Sequence, residues 1–170
     1  MIQSISALNF KNYDSASAAF VSKFNFFTGL NGSGKTNLLD AIYYTCVTKS
    51  ANTSSDRHVV KKGADFFRIE ARVGRVDGMQ SVVAKVQPGK IKEFQVEGAV
   101  LSKLSDHIGY QPVIFLAPGD QILVEGGSAE RRKFIDFYLS QTDRGYLKSL
   151  MQYNRLINQR NALLKDYGRS

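Results

Sequence analysis

Short apolar runs dominate the first two thirds of the chain, and most of them alternate with polar residues in a pattern that predicts β-strands. The alternating runs are residues 2–10, 16–21, 66–76, 79–87 and 91–96. Asp77-Gly78 and Pro88-Gly89 supply tight turns, so the last three runs are expected to form an antiparallel meander. Residues 24–28 are mainly aromatic and residues 112–116 are apolar, and both runs are predicted to be buried strands.

The apolar period changes at residue 35, where the spacing predicts a helix over residues 35–48. Leu38, Ile42 and Cys46 recur every fourth residue, so Cys46 is expected in the core. A shorter helix is predicted over residues 101–108.

Two helices are predicted to close the chain. Ser128 is a favourable N-cap for a helix that runs to about Ser140, and Asp143 is expected to cap a longer one. The second helix would contain ~24 residues and extend ~36 Å, which is long enough to project as an arm. Its apolar residues share one helical stripe: Tyr146, Leu150, Tyr153, Ile157 and Leu164.

Composition places the chain among globular proteins that carry an excess of positive charge. Of its 170 residues 43% are hydrophobic and 22% are charged, which argues against disorder. No apolar run approaches the ~18 residues of a membrane span. The single cysteine, Cys46, excludes a disulfide framework within the chain, and we expect a reducing, cytoplasmic location.

The net charge of +8 favours anionic partners without choosing among nucleotides, nucleic acids and lipids. Residues 125–170 contain 9 basic and 5 acidic side chains, so positive charge is densest there. A merely solvated basic surface is the alternative interpretation.

A full P-loop pattern, Gly-x-x-x-x-Gly-Lys-Thr, follows the apolar run at 24–28 and opens the predicted helix at 35. Glycines allow backbone amides to surround phosphate oxygens, and the start of the helix adds further amides and a positive dipole end. Lys35 is predicted to reach the β- and γ-phosphates, and the Thr36 hydroxyl to bind Mg²⁺. The predicted ATP-binding residues of this loop are Gly29, Leu30, Asn31, Gly32, Ser33, Gly34, Lys35 and Thr36.

The groups that hydrolyse ATP are not evident in the sequence. A Walker B acid should end a second apolar strand, but Ala117-Pro118-Gly119 separates Asp120 from the run at 112–116, so Asp120 is better interpreted as a loop residue. Residues 126–128, Gly-Gly-Ser, are better explained as a helix-capping turn than as an ABC signature. No catalytic residue is assigned, so whether the chain is itself an enzyme stays open.

Four segments carry a resemblance that covers nearly the whole chain: residues 8–13, 31–43, 118–136 and 156–164. They resemble the N-terminal part of the RecF family, the bacterial recombination mediators of the ABC/SMC-like ATPase group. The block at 31–43 is shared across SMC-related ATPases, whereas the block at 126–136 points to the RecF family. Ser128 stands where the family usually has proline, and both residues suit a helix start.

The resemblance implies an α/β ATPase head with a mixed sheet, an antiparallel meander and a C-terminal helical arm. Residues 1–125 would form the N-terminal half of the head and residues 126–170 the start of the arm. The Walker B acid, signature motif and switch histidine would lie in a C-terminal half outside this sequence. This chain alone would then be inactive, although the whole protein would be a weak, DNA-dependent ATPase.

The resemblance also implies a function and a set of partners. Family members bind ATP and Mg²⁺, dimerise with ATP, and load recombinase at DNA gaps or single-strand/double-strand junctions with RecO and RecR. Their context is DNA repair, replication restart and the SOS response to DNA damage. Lys11 and Asn12 are candidate contacts to the adenosine side of ATP, and Arg131, Arg155 and Arg160 are candidate DNA contacts. The competing interpretation is an OLD-like or transporter-like ABC ATPase that does not act on DNA.

Overall fold

The computed structural model describes residues 1–167, with side chains through residue 165. It divides into two compact units, the first Met1–Phe115 and the second beginning at Leu116. The strands are β1 (Ile2–Phe10), β2 (Tyr13–Ala19), β3 (Phe67–Arg75), β4 (Gly78–Gln87), β5 (Ile91–Val96) and β6 (Ala99–Val100). The helices are α1 (Lys35–Val47), α2 (Ile122–Glu125), α3 (Ser128–Thr142) and α4 (Arg144–Tyr167), and 3₁₀ turns lie at Asp56–His58, Leu104–His107 and Pro118–Gln121.

The first unit is built on one antiparallel sheet with strand order β2-β1-β3-β4-β5-β6. Ile5 pairs with Ala71, which pairs with Val82, so the buried residues of three strands share one face. Aromatic side chains meet edge to face in this core, with the ring centroids of Phe10 and Phe67 5.4 Å apart. Tyr44 of α1 enters the same cluster, and so the helix is fixed to the sheet.

Helix α1 ends in buried surroundings. Cys46 is fully buried, as the periodicity predicts, and this burial raises the pKa of its thiol to about 12. His107 Nε2 lies 2.6 Å from the carbonyl oxygen of Thr45 in the last turn of α1. Since a carbonyl only accepts, Nε2 carries the proton, and the imidazole caps the end of the helix. His107 Nδ1 is buried without a hydrogen-bond partner among the described residues.

The two apolar runs at 24–28 and 112–116 are not strands in the structure, contrary to the sequence prediction. Phe24 and Phe26 are 76% and 85% exposed, and Leu116 is 70% exposed. None of the six strands in the described part of the chain offers either run a hydrogen-bonded neighbour. A strand needs such a neighbour, and an apolar sequence cannot supply it alone.

Smaller differences concern turns and ends. Strand β2 begins at Tyr13, three residues before the predicted start, because Tyr13 pairs with Phe10 across a two-residue turn. Gly78 pairs with Arg75, so the β3–β4 turn lies one residue earlier than predicted. The helix predicted over 101–108 is reduced to the 3₁₀ turn Leu104–His107.

In the second unit the two long helices form as predicted, with differences at their ends. Gly127 rather than Ser128 occupies the N-cap of α3, and that helix ends at Thr142. Asp143 Oδ1 accepts hydrogen bonds from the amides of Gly145 and Tyr146, which confirms it as the start of α4. The structural boundary at Leu116 lies ahead of the predicted division at 126. Among the described residues no helix combines the length and apolarity that crossing a membrane requires.

We expect protonation of His107 to destabilise the fold. Burial lowers its pKa below the ordinary 6.5, so between that lowered pKa and 6.5 the unfolded chain binds a proton that the folded chain does not. The free energy of unfolding should therefore fall as the pH drops below 6.5, by at most about 1.4 kcal/mol per pH unit.

Denaturant unfolding at a series of pH values measures this slope. His107→Gln should flatten it, whereas His58→Gln, which changes an exposed histidine, should not. An unchanged slope in His107→Gln would assign the acid sensitivity to other groups.

Candidate nucleotide-binding site

The P-loop turns into α1 through three glycines with positive φ angles: 149° at Gly29, 82° at Gly32 and 102° at Gly34. Side-chain-bearing residues rarely adopt these conformations, which explains the glycine spacing of the motif. Gly34 is the N-cap of α1, so Lys35 and Thr36 occupy its first turn. Backbone amides in a first turn have no partner within the helix, and they form an anion-binding end.

Lys35 and Thr36 lie where the motif requires them. Lys35 Nζ donates hydrogen bonds of 2.9 Å and 2.8 Å to the carbonyl oxygens of Gly29 and Leu30, so the ammonium lies against the curve of its own loop. The Thr36 side chain is exposed on the same turn. These features fit a nucleoside triphosphate with its Mg²⁺. The positive-φ glycines and the helix start provide backbone amides, Lys35 provides an ammonium, and Thr36 provides an exposed hydroxyl.

Tyr13 of β2 forms a hydrogen bond with the P-loop, a contact that the sequence did not reveal. Its hydroxyl donates a 2.7 Å hydrogen bond to the carbonyl oxygen of Gly34, and burial raises the pKa of the phenol. A Cβ atom at position 34 would lie only 2.7 Å from Tyr13 Oη and 2.8 Å from Cζ. Gly34 is therefore required twice, for its φ angle and for this close approach.

Asn12 contacts both the P-loop and the first turn of α1. Its Oδ1 accepts a 2.7 Å hydrogen bond from Asn37 of α1, and its Nδ2 approaches the Gly32 carbonyl oxygen at 3.5 Å. Beside it opens a shallow cleft of about 600 Å³ that is also lined by Thr53, His58 and Lys62. The geometry thus brings Asn12 and the P-loop together, and contact of Asn12 with the nucleoside stays a prediction.

Lys11 also lines this cleft, but its ammonium is paired with a buried carboxylate. Its ammonium forms a 2.6 Å ion pair with Asp40, a residue of α1 that is fully buried. Asp40 also accepts hydrogen bonds from Ser50 Oγ at 2.7 Å and from the Ala51 amide at 2.6 Å. The sequence analysis does not assign a role to Asp40. The available signal was a carboxylate within the apolar stretch from Leu38 to Ile42.

The candidate DNA contacts lie in the second unit and are all exposed. Arg131 donates a 2.8 Å hydrogen bond to the Gly126 carbonyl oxygen, and Arg160 bonds to Asn161. Asp120 caps a 3₁₀ turn, since its carboxylate accepts a 2.6 Å bond from the Ala117 amide. A capping role agrees with the interpretation of Asp120 as a loop residue rather than as a Walker B acid.

A P-loop that opens a helix packed on an antiparallel meander defines the class of the protein, an ATPase head of the ABC/SMC type. The family model described as RecF/RecN/SMC N terminal domain matches residues 1–91, and the chain belongs to that family. Within the family it resembles the N-terminal part of RecF.

RecF proteins are among the curated relatives of this chain. The DNA replication and repair protein RecF of Bacteroides fragilis is 40% identical over 167 residues, which cover 98% of this chain and 45% of that protein. RecF of Cytophaga hutchinsonii is 43% identical over 167 residues, 97% of this chain and 44% of that protein. The chain thus spans about half the length of the curated relatives it matches.

Solved structures agree with this relationship. The recombination mediator protein RecF with ATPrS, of the RecFOR pathway, superimposes with a TM-score of 0.91 at 28% identity, covering 98% of this chain and 45% of that one. An SMC ATPase from a study of ATP-driven dimerisation and DNA-stimulated activation matches with a TM-score of 0.66 at 21% identity, covering 80% of this chain and 98% of that one. The second likeness shows the fold alone.

Substituting Gly34 should damage both the loop and nucleotide binding. In Gly34→Ala the new methyl group meets the Tyr13 ring at a φ of 102°, and strain of this kind costs about 1–3 kcal/mol. We expect a loss of that size in the free energy of unfolding and at least a roughly tenfold weaker affinity for MgATP. Denaturant titration and calorimetry measure the two quantities.

Gly89→Ala provides the matched control, because Gly89 has a φ of 77° but open space around its Cβ position. It should lose stability through strain and keep its nucleotide affinity. MgATP affinity in Gly34→Ala equal to that of the unchanged protein would contradict the assigned role.

Proposed function

We propose that this chain is the nucleotide-binding part of a RecF-type ATPase that acts in DNA replication and repair. The observation that carries the proposal is the P-loop: its glycine conformations, its lysine and its position at the start of α1 suit a nucleoside triphosphate. Support comes from the RecF structures with ATPrS and ATP, whose TM-scores are 0.91 and 0.89.

The bound ligand in this proposal is MgATP. The triphosphate lies against the amides of the P-loop and the start of α1, where Lys35 neutralises charge. The Thr36 hydroxyl is the Mg²⁺ ligand that this chain supplies. The nucleoside lies on the side of Asn12, in the cleft that includes His58 and Lys62.

We further propose the family's biological role for the protein to which this chain belongs. It would act in the cytoplasm, dimerise with ATP, and load recombinase at gapped DNA with RecO- and RecR-type partners. The RecF relatives favour this role over an OLD-like or transporter-like ATPase that does not act on DNA. The basic residues of α3 and α4 are the proposed contribution of this chain to DNA binding.

Loss of the P-loop lysine should abolish nucleotide binding. Lys35→Ala removes the ammonium that faces the phosphates, and hydrogen bonds to charged groups contribute about 1.5–3 kcal/mol each, so affinity should fall by about 100-fold or more. Calorimetric titration of the chain with MgATP measures the loss. Lys90→Ala, on the distant β4–β5 turn, is the control and should bind normally.

The same Lys35→Ala protein tests whether the chain has catalytic activity of its own. Phosphate release by the unchanged chain should not exceed that of Lys35→Ala, since none of its residues is assigned to hydrolysis. Turnover that disappears in Asp120→Asn would show that Asp120 is the missing acid. Equal MgATP affinity in Lys35→Ala and the unchanged chain would contradict the nucleotide site itself.

Binding to DNA should depend on the basic residues of the second unit. Duplex DNA is a dense line of negative charge, and each phosphate contact contributes about 0.9 to the slope of log affinity against log salt concentration. Changing Arg131, Arg155 and Arg160 together to Gln should weaken binding equally for all sequences and flatten that slope. Fluorescence anisotropy over a salt series, begun at low salt, measures it for both the chain and the full-length protein.

A matched triple variant separates local contacts from net charge. Arg68, Arg72 and Lys85 are exposed residues of β3 and β4, and their change to Gln removes the same charge. This control should retain the salt slope, and neither triple variant should alter ATP affinity. An unchanged slope in the Arg131, Arg155 and Arg160 variant would show that the basic helices are only a solvated surface. If both triple variants lower the slope equally, net charge rather than these helices determines DNA binding.

A further inference from the structure

We propose that Asp40 is a positioning residue of the nucleotide site. Through Lys11 it holds the Lys11-Asn12 turn of the β1–β2 hairpin against the P-loop, and nucleotide affinity depends on that contact. The inference rests on the proposed function, because it concerns the site at which ATP would bind. It assigns Lys11 a structural role toward the site in place of direct contact with ATP.

The buried carboxylate fixes its partners. Asp40 is 0% exposed, and a carboxylate in that environment is tolerated only when donors surround it. Ser50 and the Ala51 amide supply two donors from the loop after α1, and Lys11 supplies the third together with the balancing charge. If the Lys11 ammonium moved away, the charge of the buried Asp40 carboxylate would be left uncompensated.

The backbone of Lys11 is constrained as well. Its φ is 52°, in the left-handed region that lysine rarely occupies, and such a conformation persists only where the surroundings enforce it. Its amide donates a 2.7 Å hydrogen bond to the Val59 carbonyl oxygen. The side-chain ion pair and this backbone bond together hold the turn in one conformation.

The two residues that follow Lys11 contact the P-loop and the first turn of α1. Asn12 reaches Asn37 in the first turn of α1 and the Gly32 carbonyl oxygen, while Tyr13 donates to the Gly34 carbonyl oxygen. Both carbonyls belong to positive-φ glycines of the loop. A displaced turn would release these bonds and allow the loop to leave the conformation that surrounds phosphate.

Direct contact of Lys11 with ATP makes the opposite prediction for Asp40. If the ammonium bound ATP, removal of the Asp40 charge would free it and leave affinity equal or higher. If Asp40 positions the turn, Asp40→Asn weakens binding although Asp40 itself is buried away from any ligand. Because the two residues form one link, the double variant would then be no weaker than either single variant.

MgATP titration of the chain by calorimetry distinguishes these outcomes. We expect Lys11→Met, Asp40→Asn and the double variant each to weaken affinity by about tenfold, and Lys11→Arg to restore it to within about twofold. Lys61→Met, which breaks the ion pair with Asp14 beside the same hairpin, is the control and should bind normally. Unchanged or tighter binding in Asp40→Asn overturns the proposal.

Amide NMR spectra of the nucleotide-free chain test the P-loop conformation directly. A uniform loss of stability would not change the chemical shifts of individual P-loop amides. The resonances of Gly32 and Gly34 should shift in Lys11→Met and Asp40→Asn, while that of Gly89 on the distant turn should not. Should these two variants fail to fold, Tyr13→Phe removes the far end of the same link with the ion pair intact. Unchanged MgATP affinity and an unchanged Gly34 resonance in Tyr13→Phe would then overturn the proposal.

The failure of the proposal and that of the proposed function are distinguishable in the same titrations. If the unchanged chain does not bind MgATP, or binds it as Lys35→Ala does, the nucleotide site itself is wrong. If the unchanged chain binds and Lys35→Ala does not, the site is sound, and the Lys11 and Asp40 variants alone decide the positioning role.

Discussion

The need to neutralise one buried carboxylate organises the nucleotide-binding unit. Removing a charge from water costs several kcal/mol even after relaxation, so the burial of Asp40 obliges other segments to supply donors. Those donors come from the hairpin turn at Lys11 and from the loop at Ser50 and Ala51. One side chain thereby joins α1, the β1–β2 hairpin and the segment after α1.

Helix α1 both packs against the sheet and carries the end of the P-loop in its first turn. Tyr44 and Ala41 pack into the aromatic and aliphatic core of the sheet, which fixes the axis of the helix. The amides of its first turn have no partner within the helix, and its last turn is closed by the bond from His107 to the Thr45 carbonyl oxygen. The last turn and one face of α1 are thus held by other parts of the first unit.

The two units differ in what they can contribute to function. The first contains the P-loop, the Asn12 cleft and nearly all of the buried core. The second consists of helices whose basic side chains are exposed and whose carboxylates serve local roles, as Asp143 does in capping α4. In the proposed function the first unit binds ATP, and the basic helices of the second unit contribute to DNA binding.

The sequence by itself determined the features that depend on near neighbours. The P-loop follows from residue types at fixed short spacing, the meander from alternation and turn residues, and α1 and α4 from their apolar period. Only the tertiary structure decided features that join distant residues, such as the bond from Tyr13 to Gly34, 21 residues apart, and the pairing of Lys11 with Asp40. The apolar runs at 24–28 and 112–116 show the same limit, because apolar composition marks a segment as able to be a strand, whereas a hydrogen-bonded neighbour from elsewhere in the fold makes it one.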